Sequence, residues 1–286
     1  MADKDKWARA PKLALYAGEG NGQGRTYRDP TDGDSLWPSV TTVLKFEDKS
    51  ALVQWAATKV AEKARDRPDI VMGDPDLVVP RLQYAHNDFR DERAEVGTGV
   101  HNWIETDIKE TWDYPELDAE QEAMVERWHE FVEDYSVRVI YSEFTVRGEN
   151  FMGTADLLIE ATDPLTGETF IAIVDIKTSK NLWYTNDMQL AALANGLYTL
   201  HEVPEGTDGA FKRKGKTKKL DSWWVRDYEM PKPDKLMKLH IRADFYDFVE
   251  VEEADLAYEE FQCYVGIHAV REKQKARKRS AGKSSQ

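Results

Sequence analysis

The segment from Phe170 to Val174 is an unbroken apolar run, and two charged residues, Asp175 and Lys177, follow it almost at once. A short apolar run of this kind is typical of a β-strand that is buried on both faces, between neighbouring strands and under covering helices. Side chains two positions apart on a strand point to the same face, so Asp175 and Lys177 are expected to project together. Because burying charge is unfavourable unless the charge is paired or used, the end of this strand is the first candidate site.

The segments around this strand predict the order α-β-β-β-α. The predicted elements are a helix over 118–135, strands over 137–146, 151–160 and 170–177, and a helix over 186–200. A strong turn signal at 163–167 joins the last two strands. We therefore expect an α/β fold in which a mixed central β-sheet is flanked by helices.

Further elements are predicted on either side of this core. They are a hairpin over 26–38, a helix that begins at about Ser50, a helix over 81–109, strands over 222–228 and 240–251, and a helix over 253–279. Gly97 and Gly99 lie inside the helix over 81–109, where each costs about 1 kcal/mol relative to Ala. Either that helix breaks there, or another part of the backbone approaches it closely.

The expected domain organisation is one domain over residues 1–270, with a core over about 95–200 and a helical N-terminal part over about 39–94. Residues 271–286 are expected to form a basic, disordered tail with a formal charge of +6, whereas the whole chain carries −14. An acidic body does not suggest a protein that coats nucleic acid generally, but it can bind a polyanion at a focused site. A second basic group lies between Lys212 and Lys219. The alternative interpretation of both groups is a solvated loop and a frayed helix end.

Several classes of protein are excluded by the sequence. The single cysteine, Cys263, rules out an internal disulfide and an iron–sulfur cluster held by four thiolates. No apolar run approaches the ~20 residues needed to span a bilayer, and Met1 to Pro11 has no apolar signal-peptide centre. No Gly-x-x-x-x-Gly-Lys-Ser/Thr segment occurs, so we expect no ATP motor. The expectation is a cytoplasmic protein without a membrane partner.

A second carboxylate is predicted beside Asp175. Asp156 ends the segment Gly153-Thr154-Ala155-Asp156, and the hairpin between the two strands places Asp156 and Asp175 side by side. Two carboxylates held close repel each other, and they share a site comfortably when a divalent cation lies between them. Oxygen ligands suit Mg²⁺ or Mn²⁺, which could polarise a phosphoryl oxygen and lower the pKa of a bound water. With Lys177 to orient that water or stabilise developing charge, the set predicts metal-assisted hydrolysis of a phosphodiester.

Each motif has a structural alternative when it is taken alone. An Asp-x-Lys pair is more often a surface ion pair, and a lone histidine is more often a structural residue. Five histidines have no motif around them and are interpreted as structural, namely His86, His129, His201, His240 and His268. Glu105 lies one helical turn after His101, where it either holds the second ring nitrogen or is an exposed helix carboxylate.

Taken in order, five motifs resemble those of the PD-(D/E)XK nuclease superfamily, particularly its RecB-like and Cas4-like exonuclease branch. The motifs are Gly97 to His101 on a helix, Glu143 on a strand, Gly153 to Asp156, Asp175-Ile176-Lys177, and Gln189 on the following helix. They cover roughly residues 95–200, and the segment Pro38 to Thr42 is also similar to phage-encoded members. The resemblance implies a restriction-endonuclease-like core with a helical N-terminal elaboration.

The resemblance implies a metal centre. Asp156 and Asp175 would be metal ligands, with the Ile176 carbonyl contributing between them. His101 would add an imidazole ligand, which would help Mn²⁺ to compete with Mg²⁺. Glu143 would be auxiliary, through a second metal, a water or an ion pair.

The resemblance also implies catalytic and nucleic-acid-binding residues. Lys177 would be the catalytic lysine, and Gln189 would contact the nucleic acid or order the site. Thr178, Trp183 and Tyr184 follow the catalytic strand and are expected to contact DNA, the two aromatic residues by stacking on bases. The alternative for the aromatic pair is packing within the protein.

The implied function is a Mg²⁺- or Mn²⁺-dependent DNA exonuclease in recombination, end resection or phage DNA replication, acting without ATP. Its implied partners are DNA and a single-strand annealing or recombination protein, and its expected place is the host cytoplasm if a phage encodes it. An endonuclease of the same fold and a non-catalytic DNA-binding or partner-recruiting module are the alternatives. Two departures limit the resemblance, since Leu193 stands where several relatives have Tyr, and the four cysteines usual in Cas4 proteins do not occur.

Overall fold

The computed structural model describes residues 13–15, 24–33, 35–47, 50–214, 218 and 221–283. Its helices are α1 (Val40–Val43), α2 (Ser50–Asp66), α3 (Pro68–Val71), α4 (Pro75–Leu82), α5 (Ala85–Ile108), α6 (Ala119–Asp134), α7 (Tyr184–Ala194) and α8 (Ala254–Lys283), with a 3-10 turn at Leu44–Phe46. Its strands are β1 (Ala14–Leu15), β2 (Thr26–Asp29), β3 (Ser35–Pro38), β4 (Arg138–Arg147), β5 (Met152–Thr162), β6 (Thr169–Lys177), β7 (Tyr198–Val203), β8 (Phe211–Arg213), β9 (Ser222–Asp227), β10 (Lys235–Ile241) and β11 (Tyr246–Glu250).

The central sheet has eight strands in the order β11-β10-β6-β5-β4-β7-β9-β8. Strand β10 pairs with β6 in parallel, and the other neighbouring strands pair antiparallel. The sheet is therefore mixed and flanked by helices, which confirms the predicted fold class. A separate three-stranded sheet, β1-β2-β3, contains the predicted hairpin over 26–38.

Strand β6 is buried on both faces, as its apolar run predicts. Ile173 packs on one face in a core that includes residues of α7 and α8. Ala172 and Val174 pack on the other face in a core that includes residues of α5 and α6. Hydrogen-bonded neighbours on both sides satisfy the backbone of β6, since β5 lies on one side and β10 on the other.

Helix α6 packs on one face of the sheet, and side-chain hydrogen bonds cap its N-terminus. The Asp118 carboxylate accepts a hydrogen bond from the Gln121 backbone N–H at 2.9 Å, and the Gln121 side chain accepts one from the Asp118 N–H at 2.9 Å. This reciprocal capping box satisfies two backbone donors that a helix start otherwise leaves unpaired. The buried residues Trp128 and Phe131 then fix α6 against the sheet.

Two predicted elements are wrong in their extent. The helix predicted over 186–200 ends at Ala194, and Tyr198 to Val203 forms strand β7. Asn195 and Gly196 end the helix, and the Leu197 N–H then donates to the Arg147 carbonyl at 2.7 Å, so pairing with β4 replaces helical bonding. The strand predicted over 240–251 is a hairpin of β10 and β11, closed by a hydrogen bond from the Arg242 N–H to the Phe245 carbonyl.

Two helices outside the core also differ in extent from the predictions. The helix predicted over 81–109 is two helices, α4 and α5, separated at positions 83–84. The structure describes helix α8 as far as Lys283, where a disordered tail is predicted from residue 271. Met1 to Pro11, Lys216, Lys219 and residues 284–286 lie outside the described residues. Within the described part of the chain, no helix combines the length and apolarity that crossing a bilayer requires.

We expect Leu158→Ala to lower the free energy of unfolding by about 2–5 kcal/mol, because the Leu158 side chain in β5 is fully buried and its loss leaves a cavity. Leu165→Ala is the matched control, since Leu165 lies in the turn after β5 and is 93% exposed. It should change the free energy by less than about 0.5 kcal/mol. Urea unfolding followed by circular dichroism measures both, and equal effects would contradict the position of the core.

Candidate metal centre

The two aspartates predicted to share a site lie on neighbouring strands. Leu157 of β5 pairs with Val174 of β6, so Asp156 and Asp175, the next residues in each direction, lie beside one another. The carboxylate of Asp156 accepts a hydrogen bond from the Ile176 backbone N–H at 2.7 Å. That bond holds the Asp156 side chain against the end of β6.

Helix α5 carries His101 to the same end of the sheet, and it does so without a break at its two glycines. A Cβ atom at Gly97 would lie 2.8 Å from Thr178 Oγ1, just after β6, and one at Gly99 would lie 2.2 Å from Gln121 Nε2. Both distances are shorter than real Cβ contacts, so a Cβ atom at either position would force the facing side chain to move. The glycines thus permit close approach by side chains, where the sequence predicts either a helix break or another backbone.

The His101 ring has a defined orientation. Its Nε2 lies 3.1 Å from the Ile176 carbonyl oxygen. A carbonyl can only accept, so Nε2 donates and the neutral ring has its lone pair on Nδ1. Nδ1 lies 4.0 Å from Asp156 Oδ2, on the side of the carboxylates. The Ile176 carbonyl, a predicted ligand, thus orients the histidine in this structure.

Glu143 completes the most compact group of ligand atoms. Ser142 pairs with Leu157 and Phe144 pairs with Ala155, which places Glu143 opposite Asp156. Ligand atoms of His101, Glu143 and Asp156 all lie within 4.8 Å of one another. The backbone φ of Glu143 is +47°, a left-handed value that costs a non-glycine residue free energy. Strain of this kind in the middle of a strand is typical of a functional position.

Asp175 lies beside that group and contacts Lys177. The distance from Lys177 Nζ to Asp175 Oδ2 is 2.5 Å, and Asp175 is only 2% exposed. The Gln189 side chain, on α7, donates a hydrogen bond to Asp175 Oδ1 at 3.2 Å. The side chains of Asp175, Lys177 and Gln189, three of the predicted site residues, therefore form one network of polar contacts.

The crowding of acidic groups changes their titration. Burial, together with the Asp156 and Glu105 carboxylates, raises the pKa of Glu143 to about 8. Burial, opposed by Lys177 and assisted by Asp156, raises the pKa of Asp175 to about 6. Burial disfavours the Lys177 ammonium, but the two aspartates outweigh this penalty and raise its pKa. Negative charge is thus in excess here, and the lysine remains a cation at neutral pH.

These residues fit a divalent cation. Two carboxylates and an imidazole nitrogen are an ordinary ligand set for Mn²⁺ or Mg²⁺. Oδ2 of Asp175 is buried and, among the described residues, has no hydrogen-bond partner of good geometry beyond its ionic contact with Lys177. A cation would relieve the repulsion that raises the pKa of Glu143. His101, Glu143 and Asp156 would hold it, with Asp175 next to them.

The centre lies at the bottom of a cleft of about 1550 Å³ between α2, α5 and the end of the sheet. Thr178, Trp183 and Gln189 line this cleft, and half of the Trp183 side chain is exposed. Tyr184 is not among the lining residues. Burial, together with a hydrogen bond between its hydroxyl and Glu260 of α8, raises the pKa of Tyr184. The basic residues that line the cleft are Arg25, Lys59, Arg90, Arg93, Lys177, Lys180 and Arg242.

Two features of the cleft are not predicted from the sequence. Glu105 forms an ion pair with Lys109, so it does not hold the second nitrogen of His101. Arg242 reaches the cleft from the end of β10, outside the segment covered by the motifs. The signal for it is the alternation of polar and apolar residues from Lys238 to Arg242, which marks a strand with one polar face.

Comparison of the sequence with models of known protein families finds no match, and comparison with characterised proteins finds no significant similarity either. The fold and the site define a mixed α/β protein with a candidate divalent-cation centre at the end of its central strand. Any more specific assignment depends on the chemistry of the residues in that centre.

We expect the thermal stability of the metal-free protein to fall as the pH rises from 4.5 to about 8, because the folded protein holds a proton on Glu143 that the unfolded chain has lost. Mn²⁺ should raise Tm more at about pH 9 than at about pH 6, since binding displaces that proton. Calorimetry with and without Mn²⁺ measures this. Glu143→Gln should reduce the pH dependence and the Mn²⁺ effect, whereas the exposed control Glu168→Gln should change neither. Equal Mn²⁺ effects in both variants would exclude Glu143 as a ligand.

Proposed function

We propose that the protein is a metal-dependent deoxyribonuclease of the PD-(D/E)XK type, with exonuclease activity on DNA. One observation carries the proposal. Side chains from a helix and three strands, His101, Glu143, Asp156 and the pair Asp175–Lys177, converge at the bottom of one cleft. A metal-ligand set beside a charged lysine is a combination suited to phosphodiester hydrolysis, since both stabilise negative charge that develops on the phosphate.

The residues of the centre divide the chemistry among them. A bound Mg²⁺ or Mn²⁺ supplies Lewis acidity toward a phosphoryl oxygen and lowers the pKa of water. Lys177, kept charged and fixed by Asp175, stabilises negative charge that develops on the phosphate. Gln189 fixes Asp175 from the other side, so the lysine and the carboxylate keep one geometry.

The charge of the cleft supports a polyanionic substrate. The whole chain has a formal charge of −14, yet seven basic and six acidic residues line the cleft. Four of the six acidic residues, namely Glu105, Glu143, Asp156 and Asp175, lie at or beside the metal centre, where a bound cation would offset their charge. A phosphate backbone is therefore attracted to the cleft and repelled elsewhere, which restricts binding to one place.

The proposed setting is the cytoplasm, or the host cytoplasm if a phage encodes the chain, in DNA recombination, end resection or phage DNA replication. DNA is the proposed substrate, and a single-strand annealing or recombination protein is the proposed partner. A nuclease in that setting would generate the single strands that such a partner binds.

End-labelled linear duplex, end-labelled single strands and closed circular DNA, each with Mg²⁺, Mn²⁺ or chelator, test the proposal. We expect metal-dependent release of labelled nucleotides from linear DNA and intact circles. Cutting of intact circles would instead identify an endonuclease. Retention of DNA without cleavage in either metal would identify a binding module and contradict the proposal.

We expect Lys177→Gln to lower the cleavage rate by at least ~100-fold, because it removes the cation that stabilises the transition state. Lys232→Gln, at an exposed lysine in the loop before β10, is the control and should leave the rate unchanged. Initial rates with labelled linear DNA measure both, with Tm as the check on folding. Asp175→Asn keeps the shape of the side chain and should also remove cleavage. Normal rates in a folded Lys177→Gln protein would refute the proposed role.

A further inference from the structure

Strand β10 and the turn after it place polar residues beside the metal centre. β10 runs parallel to β6, with Lys238 opposite Asp175 and His240 opposite Lys177. Arg242 follows at the same two-residue spacing, and its side chain lines the cleft. Residues at this spacing share one face of a strand, so β10 continues the polar surface that β6 begins.

Two of these residues fix the backbone that follows the catalytic strand. His240 is 7% exposed, and its Nε2 donates to the Ser179 carbonyl at 2.7 Å. Arg242 Nη1 donates to the Thr178 carbonyl at 2.6 Å. These two hydrogen bonds therefore hold the first two carbonyl groups after Lys177. The bond to the Thr178 carbonyl also fixes the position of the Arg242 guanidinium.

The Arg242 guanidinium retains unused donors and has no direct ion-pair contact among the described residues. A guanidinium has five N–H donors, and the described residues account for one hydrogen bond from this side chain. Among the described residues, Glu120 interacts with the charge of Arg242, but its carboxylate forms its ion pair with Arg93 instead. The Arg242 side chain is half-buried. A half-buried cation whose remaining donors line a cleft is suited to binding an anion.

Five of the other six basic residues that line the cleft differ in this respect. Carboxylates already pair with Lys59, Arg90, Arg93 and Lys177. Lys180 is exposed, and among the described contacts none fixes its ammonium group. Arg242 thus combines two properties, a charge without a direct ion-pair contact among the described residues and a fixed position, that these five residues do not share.

We propose that Arg242 is a phosphate-binding residue, which holds a backbone phosphate of the nucleic-acid strand next to the phosphate that is cleaved. The inference rests on the proposed function. The anchoring carbonyl belongs to Thr178, which follows Lys177 directly, and both side chains line the same cleft. Arginine suits this role because its planar donors match two phosphate oxygens, and its fixed position reduces the entropy lost on binding.

Fluorescence anisotropy with a labelled single-stranded oligonucleotide of about 20 nucleotides in Ca²⁺, over a series of salt concentrations, tests the inference. We expect Arg242→Gln to weaken binding about 5- to 10-fold and to reduce the slope of log K against log salt by about 0.7–1. Arg242→Lys keeps the charge, so it should retain the slope while losing part of the affinity. Arg138→Gln, on β4 and paired with Glu160, is the control and should change neither quantity.

The outcomes separate this inference from the proposed function. Unchanged affinity and slope in folded Arg242→Gln would overturn the phosphate site, even if the wild type cleaves DNA. A slope lost equally in Arg242→Lys and Arg242→Gln would assign the effect to the fold and also overturn it. A wild type that binds DNA with the expected Arg242 effects but cleaves none would keep the phosphate site and refute hydrolysis. A wild type that binds no oligonucleotide would refute both.

Discussion

A buried ion pair at the end of β6 is the constraint on which the rest of the site depends. Asp175 is 2% exposed and lies 2.5 Å from Lys177, so loss of the lysine would leave a buried carboxylate with an uncompensated desolvation penalty of several kcal/mol. The pair is tolerated because β5 and β10 satisfy the strand on both sides and Gln189 bonds to the carboxylate. An apolar pair would cost less to bury, so retaining these charges favours a chemical role over a structural one.

Acidic groups from separate parts of the chain lie close together beside this end of β6. Ligand atoms of Glu143 from β4, Asp156 from β5 and His101 lie close together, and burial, assisted by repulsion from neighbouring carboxylates, raises the pKa of Glu143. The left-handed backbone of Glu143 adds strain to that repulsion. The protein therefore accepts a loss of stability in its central sheet that a divalent cation would recover, which is the usual balance at a preformed metal centre.

The parts that could be predicted from the sequence are those encoded by local pattern. The apolar run before Asp175 specifies a strand buried on both faces. The turn signal at 163–167 specifies that this strand pairs with β5. The site residues on those strands follow, because pairing of neighbouring strands fixes which carboxylates adjoin. Prediction failed where composition conflicts with long-range pairing. Tyr198 to Leu200 follow a segment rich in Leu and Ala and are predicted to continue its helix, yet pairing with β4 makes them part of strand β7.

By itself, the sequence determined the mixed α/β class, the central strand and the acidic, lysine-containing site at its end. Only the tertiary structure decided that Glu143, rather than Asp175, completes the compact ligand group with His101, and that Arg242 reaches the cleft. Glu143 joins the group because the pairing of β4 with β5 places it opposite Asp156. Arg242 reaches the cleft because β10 lies beside β6 in parallel, although the two strands are far apart in the chain. No local period records such a pairing, because its free energy comes from burial and hydrogen bonds between segments that are distant in sequence.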